Sequence, residues 1–229
     1  MKKIFSMLLI ISMLLASTFT VSATDTSNAE TMTAHDILKY GSITEVTDTT
    51  ITIECDRIVG KEFSSLSNIT SEIHQKDVCV IVLDGTLNPE KVINNLSRST
   101  HDETDVYDGE AANLYSTITY ELTSTVGYNY IRLISASGYV VRYNSRTTVK
   151  QNHIIMGTVG FKENGVYASI KSEYDFPNVY SWSVVAPTNF FKVALIPDSD
   201  VYVGCNYICT LQRGTAIIEY SLSNNAYEP

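Results

Sequence analysis

The segment SEYDFPNVYSW, residues 172–182, carries four aromatic rings and two carboxylates in a stretch broken by Pro177 and Asn178. These are the groups of a sugar-binding loop: Tyr174, Phe176, Tyr180 and Trp182 would stack on the CH faces of a pyranose while Asp175 accepts from its hydroxyls. The same residue types also plug one end of a β-sandwich, where Trp and Phe are buried as core, and the plug is the stronger reading. Glu173 and Asp175 form a carboxylate pair, but two residues apart on one strand they cannot oppose each other across a glycosidic bond. No catalytic residue is assigned.

Metal and thiol chemistry find little support. His101, Asp102, Glu103, Asp105 and Asp108 are rich in oxygen ligands, yet they lack the ordered spacing and turn glycine of a calcium loop, and they read as a solvated acidic linker. His35, His74, His101 and His153 are scattered without the paired spacing of a zinc site. In VYVGCNYICTL, Val201, Val203, Cys205, Tyr207, Cys209 and Leu211 share one side of a predicted strand. Cys205 and Cys209 therefore read as buried apolar residues rather than as nucleophiles served by His153. On a straight strand they stand about 13 Å apart, beyond bonding distance, although a bend at Gly204–Asn206 would allow a local bridge. Cys55 and Cys79, in separate predicted strands, are the candidate disulfide of an exported chain. A serine elbow, a phosphate loop and a Walker motif are absent, and no cofactor is implied.

Export is read from the first residues, MKKIFSMLLIISMLLASTFTVSA, in which two lysines precede an apolar run and small residues end at Ala23. This is the pattern of a bacterial secretory signal peptide over residues 1–23. The apolar run, Ile4 to about Ala16, is shorter than the roughly 20 residues needed to span a bilayer. No membrane anchor is expected at either end. Charge divides the remainder: residues 24–112 hold 17 acidic and 6 basic side chains, whereas residues 113–229 hold 8 of each. With no basic block, the attraction that dominates nucleic-acid affinity is missing, and nucleic acid is excluded as a partner.

The elements that would position these residues are strands. Residues 24–37 are polar and lack a period, a flexible lead-in. Ile43 and Val46, then Ile51, Ile53 and Cys55, flank Thr47-Asp48-Thr49, where Asp48 favours a turn; this predicts a hairpin. Phe63, Leu66, Ile69 and Ile73 are also compatible with a helical face. The order Gly41, Ile43, Val46, then Ile51, Ile53, then Phe63, then Thr70, Ile73, then Val78, Val80, Asp84, Gly85 resembles a small OB-like β-barrel module of exported bacterial proteins. That resemblance covers residues 38–87 and implies a fold without an assigned activity; Asp77 stands where the family commonly has glycine. Asn88-Pro89-Glu90 followed by Val92, Ile93 and Leu96 predicts a short helix over 89–97. Residues 98–112 read as an acidic linker.

From residue 113 the chain is Tyr-rich. Leu114, Ile118, Tyr120 and Leu122 keep the two-residue period of a half-buried strand, and NLYSTITYELTSTVGYNYIRLISASGYVVRY reads as two or three strands. Further strands are expected at 153–161, 165–173, 200–211 and 215–222, with turns at Glu163-Asn164-Gly165 and Gln212-Arg213-Gly214. The expected architecture is all-β: a small acidic β-barrel-like domain at 38–97 and an antiparallel β-sandwich at 113–229. The expected function is non-enzymatic binding of an extracellular glycan or protein through the aromatic loop. Two alternatives stand beside it: a secreted toxin or membrane-active protein inserting the hairpin around Tyr115–Thr125, and an enzyme of unrecognised type.

Overall fold

Alternation of apolar and polar residues persists through most of this chain, and the computed structural model answers it with strands. It describes residues 34–64, 69–83, 89–90, 92–93, 110–143, 145–197 and 199–227, all within the compact unit Met32–Pro229. Helix α1 (Ala34–Tyr40) leads into β1 (Ser42–Val46), β2 (Thr50–Ser64), β3 (Ile69–Leu83), β4 (Glu110–Ser124) and β5 (Asn129–Arg142). There follow β6 (Thr147–Phe161), β7 (Tyr167–Pro177), β8 (Ser181–Val185), β9 (Val193–Ala194), β10 (Tyr202–Arg213) and β11 (Ala216–Asn225). The fold is all-β and antiparallel, as expected: a curled, half-barrel sheet in the order β1-β2-β3-β4-β5-β8, with β9 also on β5, and a four-stranded sheet β11-β10-β6-β7.

Of the residues compatible with a helical face, Phe63, Ile69 and Ile73 lie in strands, and Leu66 lies outside the described residues. β2 runs through Ser64 and β3 begins at Ile69, where β-branched Ile69, Thr70 and Ile73 suit an extended backbone. Asp77 sits mid-strand, opposite Cys55. The boundary expected at 98–112 does not interrupt the sheet. β3 and β4, which flank it, pair from Thr70↔Ser124 to Leu83↔Glu110, so the stretches read as barrel and sandwich share one sheet. Residues 94–109 lie outside the described residues, as do the signal segment and Asp84 and Gly85. Of the predicted helix, Pro89, Glu90, Val92 and Ile93 are helical, and its remainder lies outside the description.

The half-barrel sheet is buried on both faces at its centre. Val78, Val80 and Val82 point into the core between the two sheets, with Leu114, Ile118, Leu133, Ile154, Met156 and Tyr207. The residues between them, Cys79 and Ile81, join Ile51, Ile53, Cys55 and Tyr115 in a second core, covered by Ile37 of α1 and by Val92. This two-sided burial explains why VCVIVL is an unbroken apolar run where most strands alternate. Each fully buried Val or Ile here contributes about 1.5–3 kcal/mol, so the centre of β3 anchors both cores.

Turns follow local chemistry. The β1–β2 hairpin forms as expected, but Thr47 rather than Asp48 organises it: its Oγ1 accepts from the amides of Thr49 and Thr50 at 3.2 and 2.9 Å. Gly165 and Gly214 have φ of 77° and 61°, the left-handed conformation that the β6–β7 and β10–β11 turns require.

Candidate functional site

The aromatic segment 172–182 does not form one platform. β7 ends at Pro177 in the four-stranded sheet, and β8 begins at Ser181 in the half-barrel sheet, so the chain crosses between sheets at residues 178–180. Asn178 takes a φ of 56° at this corner. Tyr174 and Phe176 face inward and pack on the core, and Trp182 is buried, edge-on to Tyr207 at 5.1 Å and 6.5 Å from Phe176. Strand alternation turns Asp175 to the opposite face, where it is exposed. Tyr180 is partly exposed under the Arg142 guanidinium, 4.6 Å from the ring centre. Trp182, Tyr174 and Phe176 thus belong to the plug, while Asp175 and Tyr180 lie elsewhere.

Asp175 has its own partners. His153 Nδ1 lies 2.8 Å from Asp175 Oδ1 and Gln151 Nε2 donates to the same oxygen at 2.7 Å. His153, then Gln151, hold the Asp175 carboxyl below its ordinary range. The imidazole serves no cysteine: His153 pairs with Ile208 and Asn152 with Cys209, so His153 and Cys209 project from opposite faces of the sheet. None of the four cysteines is in a disulfide and all are buried. Burial pushes the Cys205 thiol up to about 12 and Cys209 up to about 11, far from a thiolate. The candidate bridge between Cys55 and Cys79 is not formed. Cys55 stands opposite Asp77 and Cys79 opposite Ile53, which makes them diagonal neighbours across the ladder, too widely spaced for a disulfide.

Among the described residues, the densest ionisable constellation is one that sequence spacing does not reveal. Asp56, Glu72, His74 and Tyr120 come from β2, β3 and β4 onto one face. His74 Nδ1 is 3.4 Å from Asp56 Oδ1 and its Nε2 is 3.3 Å from Glu72 Oε2. The Tyr120 hydroxyl donates to Asp56 Oδ2, and its ring stacks on His74 with centroids 5.0 Å apart. Lys61 contacts Glu72 at 2.7 Å and, with His74, holds its carboxyl below the ordinary range. A catalytic base needs a ring nitrogen open to substrate, and here both nitrogens of His74 face carboxylates. The nearby Ser71 hydroxyl donates to Glu121 at 2.7 Å, on the opposite face of β3, so Ser71 and His74 do not form a nucleophile–base pair. Asp56 and His74 are 18 residues apart, and only the β2–β3 register brings them together; alternation parity was the one available clue.

Among the described residues no group of three or more His, Cys, Asp or Glu is disposed to hold a metal ion, and no helix is long and apolar enough to cross a membrane. His101 and its acidic neighbours lie outside the description. Fold and side-chain arrangement define an all-β protein of two antiparallel sheets whose charged groups pair across strands. Compared with known protein families, curated proteins and solved structures, the chain matches none.

Proposed function

We propose that this chain is a secreted, non-enzymatic binding protein that recognises an extracellular glycan through aromatic side chains at one end of the two sheets. The observation that carries the reading is a pair of solvent-facing tyrosines in two turns at one end of the sheets. Val126 and Tyr128 are exposed in the β4–β5 turn, and Val166 and Tyr167 are exposed at the β6–β7 turn. Lys162 bridges Val193, which in turn pairs with Ile131, and this brings the two turns to the same end of the molecule. Exposed tyrosine faces beside polar side chains are suited to stacking on sugar rings. The recognition surface thereby moves from the 172–182 segment, where Tyr174, Phe176 and Trp182 pack on the core and Tyr180 lies under Arg142, to Tyr128 and Tyr167. Binding to a glycan array or to bacterial cell walls, lost in Tyr128→Ala and Tyr167→Ala with the fold retained, is the expected result. Failure of the purified chain to bind any glycan would overturn the reading.

The membrane-active alternative draws no support from the position of its hairpin. β4 lies between β3 and β5 with Leu114, Tyr115, Ile118 and Tyr120 buried, so insertion would require it to abandon both ladders. Dye release from liposomes by the purified chain would reinstate it.

A further inference from the structure

We infer that two copies of this chain pair through their β7 edges, antiparallel about Ser172, joining two four-stranded sheets into one. β7 is an edge strand: among the described residues it pairs with β6 alone, over its whole length and without a register shift. The direction of its free hydrogen-bonding groups is fixed by two bonds at its ends. Lys162 N donates to Val166 O and Asn178 N donates to Lys150 O. With the register between them, these assign the even-numbered residues of β7 to the β6 ladder. The amides and carbonyls of Tyr167, Ser169, Lys171, Glu173 and Asp175 therefore point away from the sheet.

Charge selects the partner and the register. Lys171 and Glu173 are both exposed on the outer face, 2.7 Å apart in one strand. In antiparallel pairing about Ser172, each Lys171 meets the other copy's Glu173, twice over, and Ser169 meets Asp175. Shifting to the next register that keeps side chains on their faces sets Lys171 against Lys171, or sets Glu173 against Glu173 while Lys171 meets Asp175; each puts one like-charge pair on the axis, which is destabilising, and the register about Ser172 has none. The inner face agrees: Ile170, Tyr174 and Phe176 are only partly buried against the core, and the pairing covers Ile170 with Tyr174 and Ala168 with Phe176. About ten backbone hydrogen bonds form across the two-fold axis, proline costing one donor at each end.

The other edges lack these properties. β11 carries a single charged side chain, Glu219, so no self-pairing compensates it, and β1 and β8 are five residues each. A charged edge ordinarily repels a second strand; on β7 the signs are spaced to attract their own mirror.

Sedimentation of the purified chain tests this. The wild type is expected at twice the chain mass at about 100 μM, well above a micromolar dissociation constant. Lys171→Glu and Glu173→Lys should each weaken self-association about tenfold or more, because each sets like charges opposite. An equimolar mixture of the two should form a heterodimer, and the double exchange should restore the homodimer. Ser169→Pro, which removes one outward N–H without touching the β6 ladder, should weaken the dimer independently of charge. A wild-type monomer overturns the proposal, as does a dimer whose affinity none of these variants changes. Circular dichroism of each variant separates loss of pairing from loss of fold.

Discussion

Trp182 lies against Gly138 across the β5–β8 ladder, so closely that a β-carbon on residue 138 would come within 2.5 Å of the indole Cζ2 and of the Tyr115 carbonyl oxygen. The contact shows what the tryptophan does: it fills the inter-sheet core and wedges against Tyr207, a role for which a bare backbone at position 138 is required. Gly138→Ala should cost about 1–3 kcal/mol by overpacking, read from urea unfolding. Trp182 fluorescence should shift toward that of a solvated indole in the same variant. Unchanged stability would mean that the two strands can separate without penalty.

Asn224 joins the sheets by hydrogen bonds. Fully buried on β11, its Nδ2 donates to the carbonyls of Lys76 and Ser116 at 3.1 and 3.0 Å, on β3 and β4. Asn224→Asp keeps the shape, removes the donors and sets a carboxylate against two carbonyl oxygens. The expected loss is about 3 kcal/mol near neutral pH, shrinking in acid as the new carboxyl takes a proton. Equal stability of variant and wild type across pH would refute the bridging role.

Two carboxylates on one face of the half-barrel sheet should give opposite pH signatures. Burial raises the Asp77 carboxyl above 3.8 despite the Thr117 hydrogen bond and Arg57. The folded state therefore keeps this proton to higher pH than the unfolded one, and stability falls as pH rises from 3.8 through the raised value. At Glu121, burial also pushes upward, but the Ser71 hydroxyl, Lys192 and Arg132 together outweigh it and the value lies below 4.5. Its contribution is present above 4.5 and is lost as pH falls through the lowered value. Relative to wild type, Asp77→Asn should gain stability between about pH 3 and pH 7, whereas Glu121→Gln should lose it. Parallel urea titrations compare the slopes, and two shifts of the same sign would contradict the assignment.

The cysteines should be silent until the protein opens. With Cys205 and Cys209 pushed up to about 12 and 11 by burial, and Cys55 also raised by burial, the native chain should react negligibly with a thiol reagent at about pH 8. In denaturant all four should react. Two thiols instead of four, counted on the unreduced denatured protein, would reveal a disulfide.

Much of the architecture was legible in the residues alone. The two-residue period in Leu114, Ile118, Tyr120 and Leu122, and the turn glycines Gly165 and Gly214, specify strands and hairpins through interactions within a few residues of each other. The alternation in VYVGCNYICTL likewise placed Cys205, Tyr207 and Cys209 together on one buried side. Tertiary pairing decided the rest. That β3 and β4 are neighbours across an acidic stretch depends on long-range register, which no local pattern encodes. So do the gathering of Asp56, His74 and Tyr120 and the diagonal offset of Cys55 and Cys79. Composition could say that residues 172–182 are aromatic and acidic. Only the crossing from one sheet to the other decided that Trp182 turns inward to the core while Asp175 turns outward to His153, because side-chain direction in a strand is set by the sheet to which its backbone is bonded.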